Sequence, residues 1–174
     1  MIFMPKRKNV KRKIKKKRPC RFPLLAVGIV AIVLIAILSI ALVNLREEGF
    51  VEASVIKVVG SDIIIGDNCT AIIATTSPER AYSIQLGIED KIEERPNTHD
   101  SFAEVLKSFN ITLESVKLTN FDGRYYYANM VLRAKDKVLK LDIKPSDAIA
   151  VAVRLKAPIY VNATLLQEIG KNIC

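Results

Sequence analysis

Hydrophobic and polar positions divide the chain into three stretches. The first 21 residues are polar and basic, with no apolar periodicity, and predict a disordered arm. Phe22 to Val43 then runs for 22 residues without a charge, with Ser39 its one polar side chain. At about 1.5 Å per residue this run extends roughly 33 Å as a helix, enough to cross the hydrocarbon core of a bilayer. Its length exceeds the apolar core of a cleavable signal, and no convincing small-x-small site follows, so the run predicts an uncleaved transmembrane anchor. Residues 44–49 read as a linker. From Phe50 to Cys174 the pattern changes to short alternating and amphipathic segments of the kind that fold into a domain.

Within that domain, Phe50–Val59, Asp62–Ile65 and Thr70–Thr75 are β-branched runs separated by Gly60-Ser61 and Gly66-Asp67-Asn68, which predicts three strands and two turns. Ser77-Pro78-Glu79 opens a helix with Ser77 as N-cap and Pro78 at N1, carrying Ala81, Ile84 and Ile88 inward until Arg95-Pro96 breaks it. A second helix is expected from Asp100 or Ser101, with Ser101 and Glu104 as a capping box and Phe102, Val105, Leu106 and Phe109 as its buried face. Val116 and Leu118, then Tyr126 to Leu132, then Leu139, Leu141 and Ile143 predict three more strands, turning at Asp122-Gly123 and Lys135-Asp136. Ala148 to Val153 is apolar all round, which predicts a buried helix. Pro158–Val161 is a short extended piece, after which Asn162 caps a last helix bearing Leu165, Leu166 and Ile169 and closed by Gly170. Both halves read as three strands followed by two helices. The expected fold class is therefore α+β, a single domain with a duplicated arrangement, preceded by one transmembrane helix.

Charge changes the picture in one respect. The chain carries 27 basic and 18 acidic residues, a formal +9, which taken whole would suggest a nucleic-acid binder. Eleven of those basic residues precede Phe22, leaving 16 of the 27 against all 18 acidic ones in the remainder. The positive-inside rule then places the arm in the cytoplasm and the domain outside it, a single-pass topology at the cell membrane with the bilayer as partner. Cys69 and Cys174 could pair in such a compartment, while Cys20 would stay a cytoplasmic thiol. Asn68, Asn110 and Asn162 each begin a glycosylation sequon. A second copy of the chain is a further partner that the sequence admits.

Two polar clusters carry candidate chemistry. Arg95-Pro96-Asn97-Thr98-His99-Asp100 contains the only histidine. His99 and Asp100 could bind a divalent metal or exchange protons, and Arg95 could hold a phosphate. The structural alternative makes Asp100 a helix cap, His99 a loop residue, and Arg95 a partner of Glu93 or Glu94. Asp142-Ile143-Lys144-Pro145-Ser146-Asp147 joins a strand end to a helix start, where Ser146 or Asp147 could present oxygen ligands or the helix could bind an anion. There the alternative is solvated Asp142 and ordinary first-turn residues. Tyr125 and Tyr127 could stack on bases, or pack on the sheet.

The two clusters, followed by Tyr126-Tyr127-Ala128 and Pro158-Ile159-Tyr160-Val161 in their places, resemble the bifunctional nuclease domain family over roughly Phe50 to Gly170. That family's pattern runs Arg-Pro-x-Thr-His-Asp, a Tyr/Phe-x-Ala hairpin, Asp-x-Arg-Pro-Ser-Asp-Ala-Ile and Pro-Ile-Tyr-Val. The resemblance implies an α+β domain acting on DNA and RNA, with Mg²⁺ or Mn²⁺ held by Asp100, Asp142 and Asp147. It further implies Arg95 and Lys144 on the phosphate, His99 as a proton shuttle, and Ser146 in the site. Two positions depart from the pattern: Lys144 stands where the family has arginine, and Arg80 stands at an acidic or amide position.

Overall fold

The computed structural model describes residues 49–174 other than Asn68, together with Ile32. The arm and the predicted span 22–43 otherwise lie outside the described residues, as do linker residues 44–48. Among the described residues no helix is long and apolar enough to cross a membrane.

The domain is α+β. An antiparallel meander of β1 (Phe50–Val59), β2 (Asp62–Gly66) and β3 (Thr70–Thr75) leads into α1 (Pro78–Ile88) and α2 (Thr98–Ser108). A second meander of β4 (Thr112–Phe121), β5 (Tyr126–Ala134) and β6 (Lys137–Ile143) leads into α3 (Pro145–Leu155). The chain ends with β7 (Ile159–Asn162), the short helix α4 (Ala163–Ile169) and a two-residue strand, β8 (Lys171–Asn172). The first meander falls where β-branching and the Gly60-Ser61 turn place it, except that Gly66 is the last residue of β2, paired with Ser54 and Ala71, and not part of the turn.

The eight strands form one sheet in the order β6-β5-β4-β7-β1-β2-β3-β8. The extended piece at Pro158 thus becomes the central strand, parallel to β4 and antiparallel to β1, and it joins the two meanders into one sheet. Strand order places the meanders on either side of β7, but the helices after them differ: two of eleven residues follow the first, whereas α3 and the seven-residue α4 with β7 between them follow the second. The sheet is strongly curled. β5 and β3 are five strands apart, about 24 Å in a flat sheet. Even so, the Tyr126 hydroxyl reaches the Ile73 carbonyl at 3.4 Å.

The helix α3 lies against β4 and β5, with α1 and α2 beside it. Ala148, Ile149, Ala150, Val151 and Ala152 are all buried, as the all-round apolar pattern requires. Small side chains let the neighbouring helix come close. A Cβ on Gly87 of α1 would lie 2.5 Å from Val153 Cγ2 and 2.8 Å from Arg154 Nη1, so a larger residue there would push the helices apart.

Three expectations are corrected. The helix α2 starts at Thr98, not at Asp100 or Ser101. Asn97 is its N-cap, accepting from the His99 and Asp100 N–H groups, and Asp100 completes the capping box by accepting from Asn97 N. The buried residues of α2 are Asp100, Ala103 and Leu106, while Val105 and Phe109 are exposed. Asp100 is drawn inward by a partner on α3, which turns the helix about its axis. On α1, Ala81 and Ile84 are buried but Ile88 is exposed at the helix end. The last helix is capped by Asn162 and closed at Gly170 as expected. The Asn162 side-chain N–H also donates to the Thr119 carbonyl.

Cys69 and Cys174 form a disulfide, fastening the C-terminus to the β2–β3 turn beside β8.

Candidate nucleic-acid site

The first turns of α1, α2 and α3 meet, and a continuous polar network joins them. Arg154, two turns along α3, is almost fully buried with Asp100: the side chains are 7% and 4% exposed. Arg154 Nε donates to Asp100 Oδ1 at 2.5 Å, Nη1 donates to the carbonyls of Ser83 and Ala150, and Nη2 donates to Ser83 Oγ at 3.1 Å. Four of the five guanidinium N–H groups are therefore used, which is what a buried arginine needs. The other oxygen of Asp100 is taken by Asn97 N.

The network continues toward the surface. Ser83 Oγ lies 2.9 Å from His99 Nδ1, and His99 Nε2 lies 3.4 Å from Asp147 Oδ1. Because Ser83 Oγ already accepts from Arg154, its own proton is best placed on His99 Nδ1, which leaves the imidazole N–H on Nε2 facing Asp147. Asp147 Oδ1 also accepts from Arg80 Nε at 2.9 Å. A single chain of contacts thus runs Arg154, Ser83, His99, Asp147, Arg80 across three helices.

Arg80 also lines a groove of about 980 Å³ that opens between the two wings of the curled sheet. Asp142, Lys144 and Ser146 line it from the β6–α3 junction, and Phe121 with Tyr125, Tyr126 and Tyr127 line it from the β4–β5 hairpin. Tyr126 is held inside, stacked on Phe121 with ring centroids 4.4 Å apart, and burial raises its pKa above the usual phenol value. Arg124 sits over the ring of Tyr125 at 4.8 Å. Tyr127 donates to Asp122 Oδ2, and that hydrogen bond to a carboxylate raises its pKa.

The proposed site residues therefore separate into two groups joined at Arg80. His99, Asp100 and Asp147 lie in the helix junction. Asp142, Lys144 and Ser146 lie in the groove. Arg95 is exposed in the α1–α2 connection and lines neither, and Glu93, one of its expected partners, accepts instead from the Tyr82 hydroxyl. No three His, Cys, Asp or Glu side chains among the described residues are grouped to hold a metal ion. The carboxylates Asp100, Asp142 and Asp147 as arranged do not form a ligand set: Asp100 is committed to Arg154 and Asn97, and Asp147 to Arg80 and His99.

Three contributors are absent from the sequence-based site: Arg80, Ser83 and Arg154. Arg80 was noticed only as a departure from the family pattern. Arg154 had a readable signal, a charged residue ending a helix otherwise apolar all round, which requires an acid from another element. Ser83 had none.

With four sequence blocks distributed between this junction, the groove, the hairpin and the central strand, the comparison with known proteins is decisive. The sequence matches the bifunctional nuclease domain over residues 68–173. The chain belongs to this family. An uncharacterised protein of Mycobacterium tuberculosis is 30% identical over 106 residues, which are 60% of this chain and 61% of the relative. Bifunctional nuclease 1 of Oryza sativa subsp. indica and the bifunctional nuclease of Oryza minuta are each 29% identical over 82 residues, 45% of this chain and 25% of theirs. The alignment thus spans about three fifths of the mycobacterial relative and a quarter of the rice ones. In bifunctional nuclease terms, the His-Asp block forms the helix junction and the Asp-x-Lys-Pro-Ser-Asp block forms both the groove wall and the entry to α3.

Proposed function

We propose that this protein is a nuclease-like hydrolase that cleaves phosphodiester bonds in DNA or RNA, held at a membrane by residues 22–43 with its domain on the extracytoplasmic side. The observation that carries the catalytic reading is the groove. It brings cationic Arg80, Arg124 and Lys144, a single carboxylate Asp142, and exposed Tyr125 and Tyr127 to one opening, directly beside the His99–Asp147 contact. Arg80 and Lys144 neutralise phosphate charge, and Asp142 is the carboxylate placed to orient or deprotonate an attacking water. His99 and Asp147 hold Arg80 at the groove's edge. No step is assigned to a metal, because Asp100 and Asp147, two of the three carboxylates that would bind it, are committed to arginines.

The topology rests on the charge asymmetry around residues 22–43 and is supported by the Cys69–Cys174 bond, a type of link that persists outside reducing compartments. Protease treatment of intact cells would digest the domain in this orientation and spare it in the opposite one.

A specific observation favours a second reading, an anchored binding module without turnover: Arg80 and Arg154 both neutralise carboxylates that the family resemblance places in a metal-assisted site. One experiment separates the two. Labelled single-stranded DNA and RNA are incubated with the full chain in Mn²⁺, Mg²⁺ or chelator, beside Asp142→Asn. Cleavage that falls by at least about 100-fold in the variant supports the nuclease and its carboxylate. A folded chain that binds strands and cleaves none of them supports the binding module.

A further inference from the structure

The groove contains a polar group with no protein partner. Ser146, at the second position of α3, is only 8% exposed. Its hydroxyl nevertheless makes no hydrogen bond to any described residue, whereas the side-chain polar groups of residues buried to that extent ordinarily have one. No side-chain oxygen or nitrogen among the described residues is both sealed from solvent and unpartnered. The Ser146 hydroxyl therefore opens onto the groove that the residue lines.

Its surroundings select a ligand charge. The helices α1 and α3 both begin at this groove, with Ser77 and Lys144 as N-caps, and neither cap side chain satisfies the first-turn N–H groups. Proline at N1 of each helix removes one donor, the Asp147 and Ala148 N–H groups of α3 go to the Lys144 carbonyl, and Asp147 is turned to Arg80, so the positive end of the α3 dipole is presented at Ser146. Arg124 and Lys144 add two full charges against Asp142, while Arg80 shares its charge with Asp147, which leaves the opening with a net positive charge. A domain with more acidic than basic residues thus has a locally basic groove. The groove volume, about 980 Å³, far exceeds what a bare ion needs and falls at the upper end of organic-ligand sites. Its aromatic wall already carries one planar cation, the Arg124 guanidinium over Tyr125.

We propose that the N-terminus of α3 is a phosphate subsite for a nucleotide unit, with Ser146 Oγ and the Ser146 N–H as donors, Lys144 and Arg80 as counter-charges, and the base against Tyr125 and Tyr127. The proposal rests on the nucleic-acid reading above and adds the residue that grips the phosphate. It also gives Arg80 a role specific to this chain, since the family pattern has an acid or amide at that position.

The test is a titration of the ¹⁵N-labelled full chain with inorganic phosphate, thymidine monophosphate and thymidine, followed through the backbone amide resonances of Lys144 and residues 146–148. Both phosphate-bearing probes should shift these amides saturably, and the nucleotide should bind about tenfold more tightly than the inorganic ion because its base stacks. Thymidine should move only the hairpin amides. Ser146→Ala should weaken both phosphate probes about tenfold. Ser146→Asp places a carboxylate where the helix dipole favours one, so the fold is retained while phosphate binding disappears. Amides of Lys144 and residues 146–148 that stay unmoved by phosphate and by the nucleotide overturn the subsite. Equal affinity of Ser146→Asp and the parent chain does the same. These outcomes are independent of cleavage: strands hydrolysed without these shifts leave the nuclease standing and remove the subsite, whereas saturable binding without hydrolysis does the reverse.

Discussion

At the scale of single residues, the feature with the largest energetic consequence is the Asp100–Arg154 pair. Both side chains are removed from water, and each is stabilised by the other and by the hydrogen bonds around it. Removing one partner strands a buried charge. Asp100→Ala is expected to lower unfolding stability by about 3–5 kcal/mol, and adding Arg154→Met should return at least half of that loss. Denaturant midpoints of the two variants check this. A cost below about 1 kcal/mol for Asp100→Ala would mean that the pair is not what fastens α2 to α3. The family motif's aspartate thus has a structural task here, and activity lost on mutating it would need a stability measurement beside it. Arg80 acts at the other end of the same network, where its guanidinium neutralises Asp147 at the edge of the groove.

At the scale of elements, the β4–β5 hairpin carries the aromatic wall, and Asp122 organises its turn. The Asp122 carboxylate accepts from the N–H groups of Tyr125 and Arg124 and from the Tyr127 hydroxyl, and these bonds, the Tyr125 N–H first, hold its pKa below the ordinary 3.8. A carboxylate with a depressed pKa in the folded state contributes stability that is present above its unfolded pKa and lost as pH falls through the folded value. The hairpin is therefore unaffected near neutrality and loosens only in acid, below 3.8. The Arg124 and Tyr125 amide resonances should titrate with a midpoint under that value and should lose the transition in Asp122→Ala. A midpoint at or above 3.8 would show that the turn does not depend on these bonds. Tyr127 has the opposite sign: its raised pKa favours the neutral phenol, so its contribution is present below the unfolded value near 10 and is lost as pH rises through the folded one.

For the whole molecule, the long-range staple is Cys69–Cys174, which closes a loop of 105 residues in sequence separation and holds β8 on the edge of β3. Reduction should cost about 2–4 kcal/mol, chiefly by releasing configurational freedom in the unfolded chain. Urea unfolding with and without reductant measures this, and amides of Thr70 and Ala71 should gain hydrogen exchange first because β8 is their cover on that edge. Unchanged stability on reduction would mean that β8 and the packing of α4 hold the C-terminus without the bond.

The sequence by itself determined the features that are local. Runs of β-branched residues placed β1 to β3, Ser77-Pro78 started α1, the all-round apolar run predicted the burial of α3, and Asn162 with Gly170 bounded α4. Each depends on a few neighbouring residues and on backbone preferences that tertiary contacts did not override. Even the shifted start of α2 shows the limit of local reading, since both Asn97–Asp100 and Ser101–Glu104 offer capping boxes and only the pull of Arg154 on Asp100 favours the first. The tertiary structure alone decided what meets across distance. Asp100 meets Arg154 over 54 positions and Arg80 meets Asp147 over 67, and no sequence spacing encodes either pairing. The four-residue piece after Pro158 became the central strand because two meanders each needed a partner at their inner edge. The groove exists only because the sheet they share curls until Tyr126 touches β3.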